Sequence, residues 1–208
     1  ETLCAFWLPP LLKEYSKIHP KVRIILKMAD CLEFHELLEK NIIDVAFSFH
    51  DESKRKDLSQ IDIFDDSTVF VATPDHPFSS LKKITMSELE NQSFILIESE
   101  SGYSMELKRL FQKLNVKVGT IMEVGSIESI KQCVKEGLGI SLLPRIAVDK
   151  EIKNGELVML PVETDNILIH AKMIYHVNKW MSAPLEALKD IVLLKKDGKV
   201  SGKQYKII

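Results

Sequence analysis

Apolar residues along this chain keep two different spacings, and each switch between them marks an element. Leu11, Leu12, Tyr15 and Ile18 recur at helical spacing and stop before Pro20, where a helix is expected to end. Residues 22–28 alternate as a strand, and 32–40 form a short helix with Leu37 and Leu38 on its inner side. Residues 44–49 read as a buried strand, 50–60 as a charged loop, and 61–64 with 68–73 as a strand pair. Pro74, Asp75, His76 and Pro77 are turn chemistry, and Thr85 with Glu88 has the spacing of a capping box opening a short helix. Residues 94–97 are a strand and 99–102 a polar loop. Met105, Leu107, Leu110, Phe111 and Leu114 mark the next helix. Strands at 157–160 and 167–176 follow, then an amphipathic helix over 182–194 with Pro184 in its first turn.

The densest grammar lies in residues 121–144. A strand over 121–124 ends at Gly125, and Ser126 is a good N-cap. Ile127, Ile130 and Val134 form a helical stripe closed by Gly137 as a left-handed C-cap, and 140–143 is a short apolar strand stopped by Pro144. This pattern predicts two parallel strands joined by a crossover helix whose N-terminus meets the carboxyl edge of a sheet. Such edges are where α/β proteins bind small ligands. Strands and helices alternate from end to end, so the fold class is α/β with mostly parallel strands.

Length and charge narrow the choice of partners. A chain of 208 residues holds one large domain or two lobes with separate cores. Lys and Arg number 28 against 30 Asp and Glu, so no basic excess marks a DNA-reading surface. No apolar run reaches the ~20 residues that span a bilayer, and no signal-peptide order opens the chain, so no membrane partner and no export are expected. Cys4, Cys31 and Cys133 are odd in number and irregularly spaced, which suits free thiols in a reducing cytoplasm. The six histidines lack metal-ligand spacing. Nucleotide-binding loops, nucleophile elbows and paired triads are also missing, so no metal, no cofactor and no enzyme activity are expected.

Several segments taken in order resemble the effector-binding domain of LysR-type transcriptional regulators. Residues 1–22, with Pro9, Pro10, Leu11, Leu12, Lys13, Glu14, Pro20 and Val22, are similar to the opening of that domain. Asn41 through Ala46 resembles its "G–ID–A" strand with Asn41 in the glycine place, His76 and Pro77 its "–HPL" turn, and 123–144 its "E–S–E–I–V–GLGI–LLP" signature. The resemblance implies two Rossmann-like lobes joined by two crossover strands, as in periplasmic-binding-protein-like type 2 folds. Residues 1–72 with 171–194 would form one lobe and 73–170 the other, leaving 195–208 as a flexible tail. In the family a core strand, a winged helix-turn-helix and a linker helix precede this segment, so DNA would be bound only through an N-terminal domain absent from these residues. A solute-binding protein of a transport system is the alternative on the same lobes.

The resemblance also implies a small polar or anionic effector held by hydroxyls and helix N-termini. Thr2, Leu3 and Cys4 open the first helix, where Thr2 can cap and its neighbouring amides can meet an anion. Ser101, Gly102, Tyr103 and Ser104 are the corresponding loop of the second lobe, with Gly102 admitting backbone amides to a ligand and Tyr103 able to stack. Ser126 is a third capping hydroxyl, and Cys31 and Ser48 are further candidates. Each of these residues also has a plain reading as a cap, turn or packing residue. Family members assemble as homodimers or tetramers through helices that correspond to 8–18 and 126–136, each expected to keep an apolar strip exposed.

Overall fold

A computed structural model describes residues 1–29, 31–49, 55–97, 102–113, 116–164 and 168–196. The elements in chain order are a π-helical turn at Leu3–Trp7, α1 (Leu8–Ile18), α2 (Cys31–Glu39), β1 (Ala46–Ser48), β2 (Leu58–Ala72), β3 (Ile84–Thr85), β4 (Phe94–Ile97) and α3 (Gly102–Lys113). There follow β5 (Ile121–Val124), α4 (Ile127–Lys135), β6 (Ser141–Pro144), α5 (Arg145–Lys153), β7 (Val158–Met159), β8 (Val162–Glu163), β9 (Leu168–His176) and α6 (Ala183–Lys196). Short 3-10 turns occupy Pro77–Ser80 and Met86–Leu89.

The chain divides into two units, one of residues 1–2 and 65–169, the other of residues 3–64 and 170–208. In the first unit β4 pairs in parallel with β5 from Phe94↔Ile121 to Ile97↔Val124, and a parallel bridge joins Phe94 to Ile140 on its other side. The strands flanking α4 are thus parallel and joined by a crossover helix, as the sequence predicts, with β4 lying between them. β2 pairs antiparallel with β6 and β7, so this unit mixes strand directions. Phe94 sits at the centre of the core, with its ring 4.9 Å from Phe111 and 6.5 Å from Phe70. Leu89, Leu107, Ile140 and Leu142 close around it.

Two glycines shape the turn before β6. Gly137 takes φ +74, the left-handed C-cap that its sequence position predicts. Gly139 is needed for a different reason. A Cβ there would lie 2.6 Å from the Ser93 carbonyl oxygen, so the chain passes too close for any side chain. In the second unit β1 pairs antiparallel with β9, and α2 covers them with Phe34 and Leu38 against Ala46, Leu58 and Ile174. Asn41, in the glycine place of the family pattern, has φ 55, a conformation asparagine tolerates better than most residues.

Several expected elements differ. The segments expected at 61–64 and 68–73 form one continuous strand, β2, which ends at Ala72, because the polar run of Asp65, Asp66 and Ser67 stays extended instead of turning. Residues 22–28, expected as an alternating strand, form no strand and join no ladder among the described residues, and they are exposed throughout, Ile24, Ile25, Leu26 and Met28 included. Helix α5 was not expected: Pro144 ends β6 and at the same time stands as the N-cap of a helix. Between Thr85 and Glu88 one half of the capping box is clear, with Glu88 Oε2 accepting from Thr85 N at 2.6 Å. The loop residues 50–54 and the tail from 197 onward lie outside the described residues.

Candidate functional site

The parallel pair β4–β5 positions the first unit's candidates. Ile97 and Val124 are partners in register, so the chain leaves both strands at the same sheet edge. α3 begins five residues beyond one end and α4 three residues beyond the other. Both helices thus place their N-termini, with the partial positive charge of a helix start, at the carboxyl edge of this pair. Gly102, Tyr103 and Ser104 form the first turn of α3, though the Tyr103 and Ser104 side chains and the whole of Ser101 lie outside the described residues.

Ser126 is the N-cap of α4, as its position predicts, and its Oγ accepts from Ser129 N at 3.2 Å and donates to Ser129 Oγ at 2.9 Å. The Ile130 amide donates to the Ser126 carbonyl at 3.0 Å. The Ile127 amide has a partner from the far end of the unit: Glu1 Oε1 accepts from it at 3.0 Å. Three of the first four amides of α4 are therefore already engaged, and one of them holds a carboxylate. That contact shows the chemistry of the position, an amide facing an anion at a helix start. It also brings Thr2, the next residue, to the same part of the unit. Thr2 is 6% exposed, and it does not cap α1, whose N-cap position is Trp7 with no side-chain bond. The helical run begins at Thr2 and continues through the π-helical turn into α1.

Charged groups hold α4 in place from its other side. Lys131 is buried between Glu128 and Glu151, with Nζ 2.8 Å from a carboxylate oxygen of each. Burial works against its charge, but the two carboxylate bonds outweigh it and keep the ammonium above its ordinary range. Bonds from Lys131 and Gln132 lower the Glu128 carboxyl in turn. On β2, Asp66 accepts from Ile146 N at 3.1 Å and Ser67 N at 2.9 Å, capping α5 from a neighbouring element. Desolvation raises its carboxyl above the usual value despite those two amides. Sequence reasoning missed Asp66, Lys131 and Glu151, since charged residues at turn and helix-surface positions carry no sign of long-range burial.

In the second unit Leu3 is buried and Cys4 half-buried on the π-helical turn. The turn is seated by Trp7, whose ring lies 6.0 Å from Phe47 and 5.5 Å from Phe64. Ser48 ends β1 beside Phe47 and is the register partner of Lys172. Lys172 is buried and donates to Asp62 Oδ1 at 2.6 Å. Cys31 is the first residue of α2, and its side chain lies outside the described residues. Cys133 is half-buried. The apolar strip expected on the outer face of α4 is not there: Glu128, Ser129 and Gln132 occupy it, because every apolar residue of this helix except half-buried Cys133 is spent on the sheet side.

Among the described residues no helix is long and apolar enough to cross a membrane, and no group of three or more His, Cys, Asp or Glu side chains is arranged to hold a metal ion.

The family model of the LysR substrate binding domain matches residues 1–195. An uncharacterised HTH-type transcriptional regulator of Bacillus subtilis, YwqM, is 32% identical over 193 residues, which is 92% of this chain and 65% of the relative. The HTH-type transcriptional activator CmpR of Synechocystis is 31% identical over 185 residues, 89% of this chain and 60% of the relative. The chain thus spans 60 to 65% of the length of these curated relatives. Among solved structures, the regulatory domain of Synechocystis CcmR in complex with 2-PG superposes with a TM-score of 0.84 at 25% identity, covering 94% of this chain and 93% of that one. The effector binding domain of QuiR in complex with shikimate gives 0.77 at 19% identity, covering 95% and 93%. The fold is accordingly α/β with two lobes of the periplasmic-binding-protein-like type 2 kind. The relatives are regulators of transcription, neither enzymes nor transport proteins. With a match that runs through nearly all of its residues, the chain belongs to the LysR substrate binding domain family.

Proposed function

We propose that this chain is the ligand-sensing regulatory domain of a LysR-type transcriptional regulator, which binds a small polar or anionic metabolite and passes a conformational change to an attached DNA-binding domain. The observation that carries this reading is the sheet edge of the first unit. There two helices begin within five residues of paired strand ends, and one of them already holds a carboxylate on its first amide. The two units would be the two lobes, with residues 1–2 and 65–72 grouped with 73–169 and not with 3–64 as the resemblance implies. Thr2, Leu3, Cys4, Cys31, Ser48, residues 101–104 and Ser126 are the candidate contacts. Small-molecule complexes of related regulatory domains support the class of ligand. The effector acts by binding two arrangements of the domain with different affinity, which shifts their populations.

The regulator would act in the cytoplasm as a homodimer or tetramer and meet DNA through its winged helix-turn-helix. Sedimentation equilibrium tests assembly: a strict monomer at tens of micromolar would count against it. A thermal-shift screen of carboxylates, phosphate esters and amino-acid derivatives tests the site. A ligand at 100 times its Kd adds about 2.7 kcal/mol, a clear rise in Tm. Thr2→Ala and Ser104→Ala should lose most of that rise, and equal shifts in wild type and both variants would disprove the site.

A further inference from the structure

Helix α4 is fixed on one flank by charge instead of apolar contact. Its apolar residues Ile127, Ile130 and Val134 are all buried, and the helix packs on β4, β5 and β6. The fourth buried residue is a lysine: Lys131 is 2% exposed, and it meets Glu151 Oε1 of α5 at 2.8 Å. Glu151 is itself 8% exposed, and its other oxygen, Oε2, is buried with no hydrogen-bond partner among the described residues. One turn further along, Lys135 pairs with Glu156 just past the end of α5. At the other end Glu128 holds Lys131 at 2.8 Å and Gln132 at 2.9 Å, which ties the first turn of α4 to the same network.

A buried pair of this kind is a poor way to stabilise a fold. Removing an ammonium and a carboxylate from water costs about as much as their attraction returns, and the unpartnered oxygen adds to the cost. Two well-packed apolar side chains at positions 131 and 151 would serve stability equally well. What they would lack is a single preferred geometry. A lysine bonded to a buried carboxylate fixes the offset between the two elements that carry them, whereas apolar surfaces slide with little penalty.

We propose that Lys131 is a positioning residue for the ligand edge of this unit. Through its buried bond to Glu151 it sets the placement of α4 relative to α5, and with it the placement of Ser126 and the Ile127 amide. That a ligand uses this edge rests on the function proposed above, while the positioning itself does not.

Hydrogen exchange of the 208-residue chain, read by mass spectrometry over residues 127–130, tests this without any effector. Lys131→Met leaves Glu151 buried without its cation, and Tm is expected to fall by roughly 10 °C. The double variant Lys131→Met with Glu151→Leu removes both charges and keeps the volume. Its Tm is expected within about 3 °C of the parent, while exchange at 127–130 rises about tenfold or more. Parent-like exchange in the double variant would overturn the proposal. So would a double variant that fails to fold or melts far below the parent, since the pair would then be structural support. A failed metabolite screen would remove the effector reading and leave this result standing.

Discussion

Gly139→Ala should be among the most damaging single-methyl additions in the first unit, and its effect can be worked from geometry. The new Cβ would lie 2.6 Å from the Ser93 carbonyl oxygen, 3.0 Å from its carbon and 3.3 Å from Ser93 Cβ. Ordinary C···O contacts fall at about 3.3–3.6 Å, so roughly 0.7 Å of overlap must be absorbed by main chain. The Ser93 carbonyl cannot simply retreat. It accepts from Ile140 N at 2.9 Å, and Ile95 N donates back to the Ile140 carbonyl at 2.9 Å. Overpacking costs about 1–3 kcal/mol, and a weakened backbone hydrogen bond adds about 1 kcal/mol. At about 2–4 °C per kcal/mol for a chain of this size, Tm should fall by roughly 5–15 °C. Gly137→Ala is the internal comparison. Its nearest neighbour would be Thr73 Cγ2 at 3.8 Å, so only the left-handed backbone, φ +74, opposes it, at about 1–2 kcal/mol. Thermal melts followed by circular dichroism decide the order. A Gly139→Ala protein melting within about 1 °C of the parent, or above Gly137→Ala, would refute the close approach.

Three further outcomes follow from packing and charge. Phe94→Ala should cost about 3–5 kcal/mol by equilibrium urea unfolding, because the ring lies fully inside a core it shares with Phe70 and Phe111. Asp66→Ala strips the Ile146 and Ser67 amides of their acceptor and should cost about 1–2 kcal/mol. Because the Asp66 carboxyl is raised in the folded state, its titration contributes stability that is present at low pH and lost as pH rises through the folded value. The Asp66→Ala deficit should therefore be larger near about pH 3 than near about pH 6, and the reverse order in paired urea titrations would contradict the burial of this group. Other carboxyls act in the opposite direction. Arg55 holds Asp57 down to about 2, and lysine partners lower Glu36, Glu128, Asp149 and Glu156. Their contribution is present above the usual carboxylate range and lost as pH falls toward about 2, so the urea midpoint of the whole protein should drop over that interval.

The sequence was most legible where a residue's role is local. Ser126 as a cap, Gly137 as a left-handed stop and the apolar stripe of α4 all depend on neighbours within a turn, and the fold keeps each of them. Reading failed where a partner lies far along the chain. Asp65, Asp66 and Ser67 resemble a turn, yet Asp66 is extended because its carboxylate is used by an amide 80 residues away. Pro144 gave only half its meaning, a strand stop, and the helix that starts on it went unseen. Residues 22–28 have the right alternation, but alternation names a strand without naming its partner. For the candidate site the same division holds. The hydroxyl and glycine positions could be named from local grammar. The Glu1 carboxylate on the Ile127 amide, 126 positions apart, could not.

If the helix starts at the β4–β5 edge and the Thr2 segment form an effector site, a bound effector must lie against them. A crystal structure of the domain with the metabolite that raises its Tm most would show whether it does. The expected complex has ligand oxygen atoms within hydrogen-bond distance of Thr2, the 102–104 turn and the first turn of α4. Glu1 should be displaced from the Ile127 amide or bonded alongside the ligand. A ligand seated away from all three helix starts would contradict the proposed site.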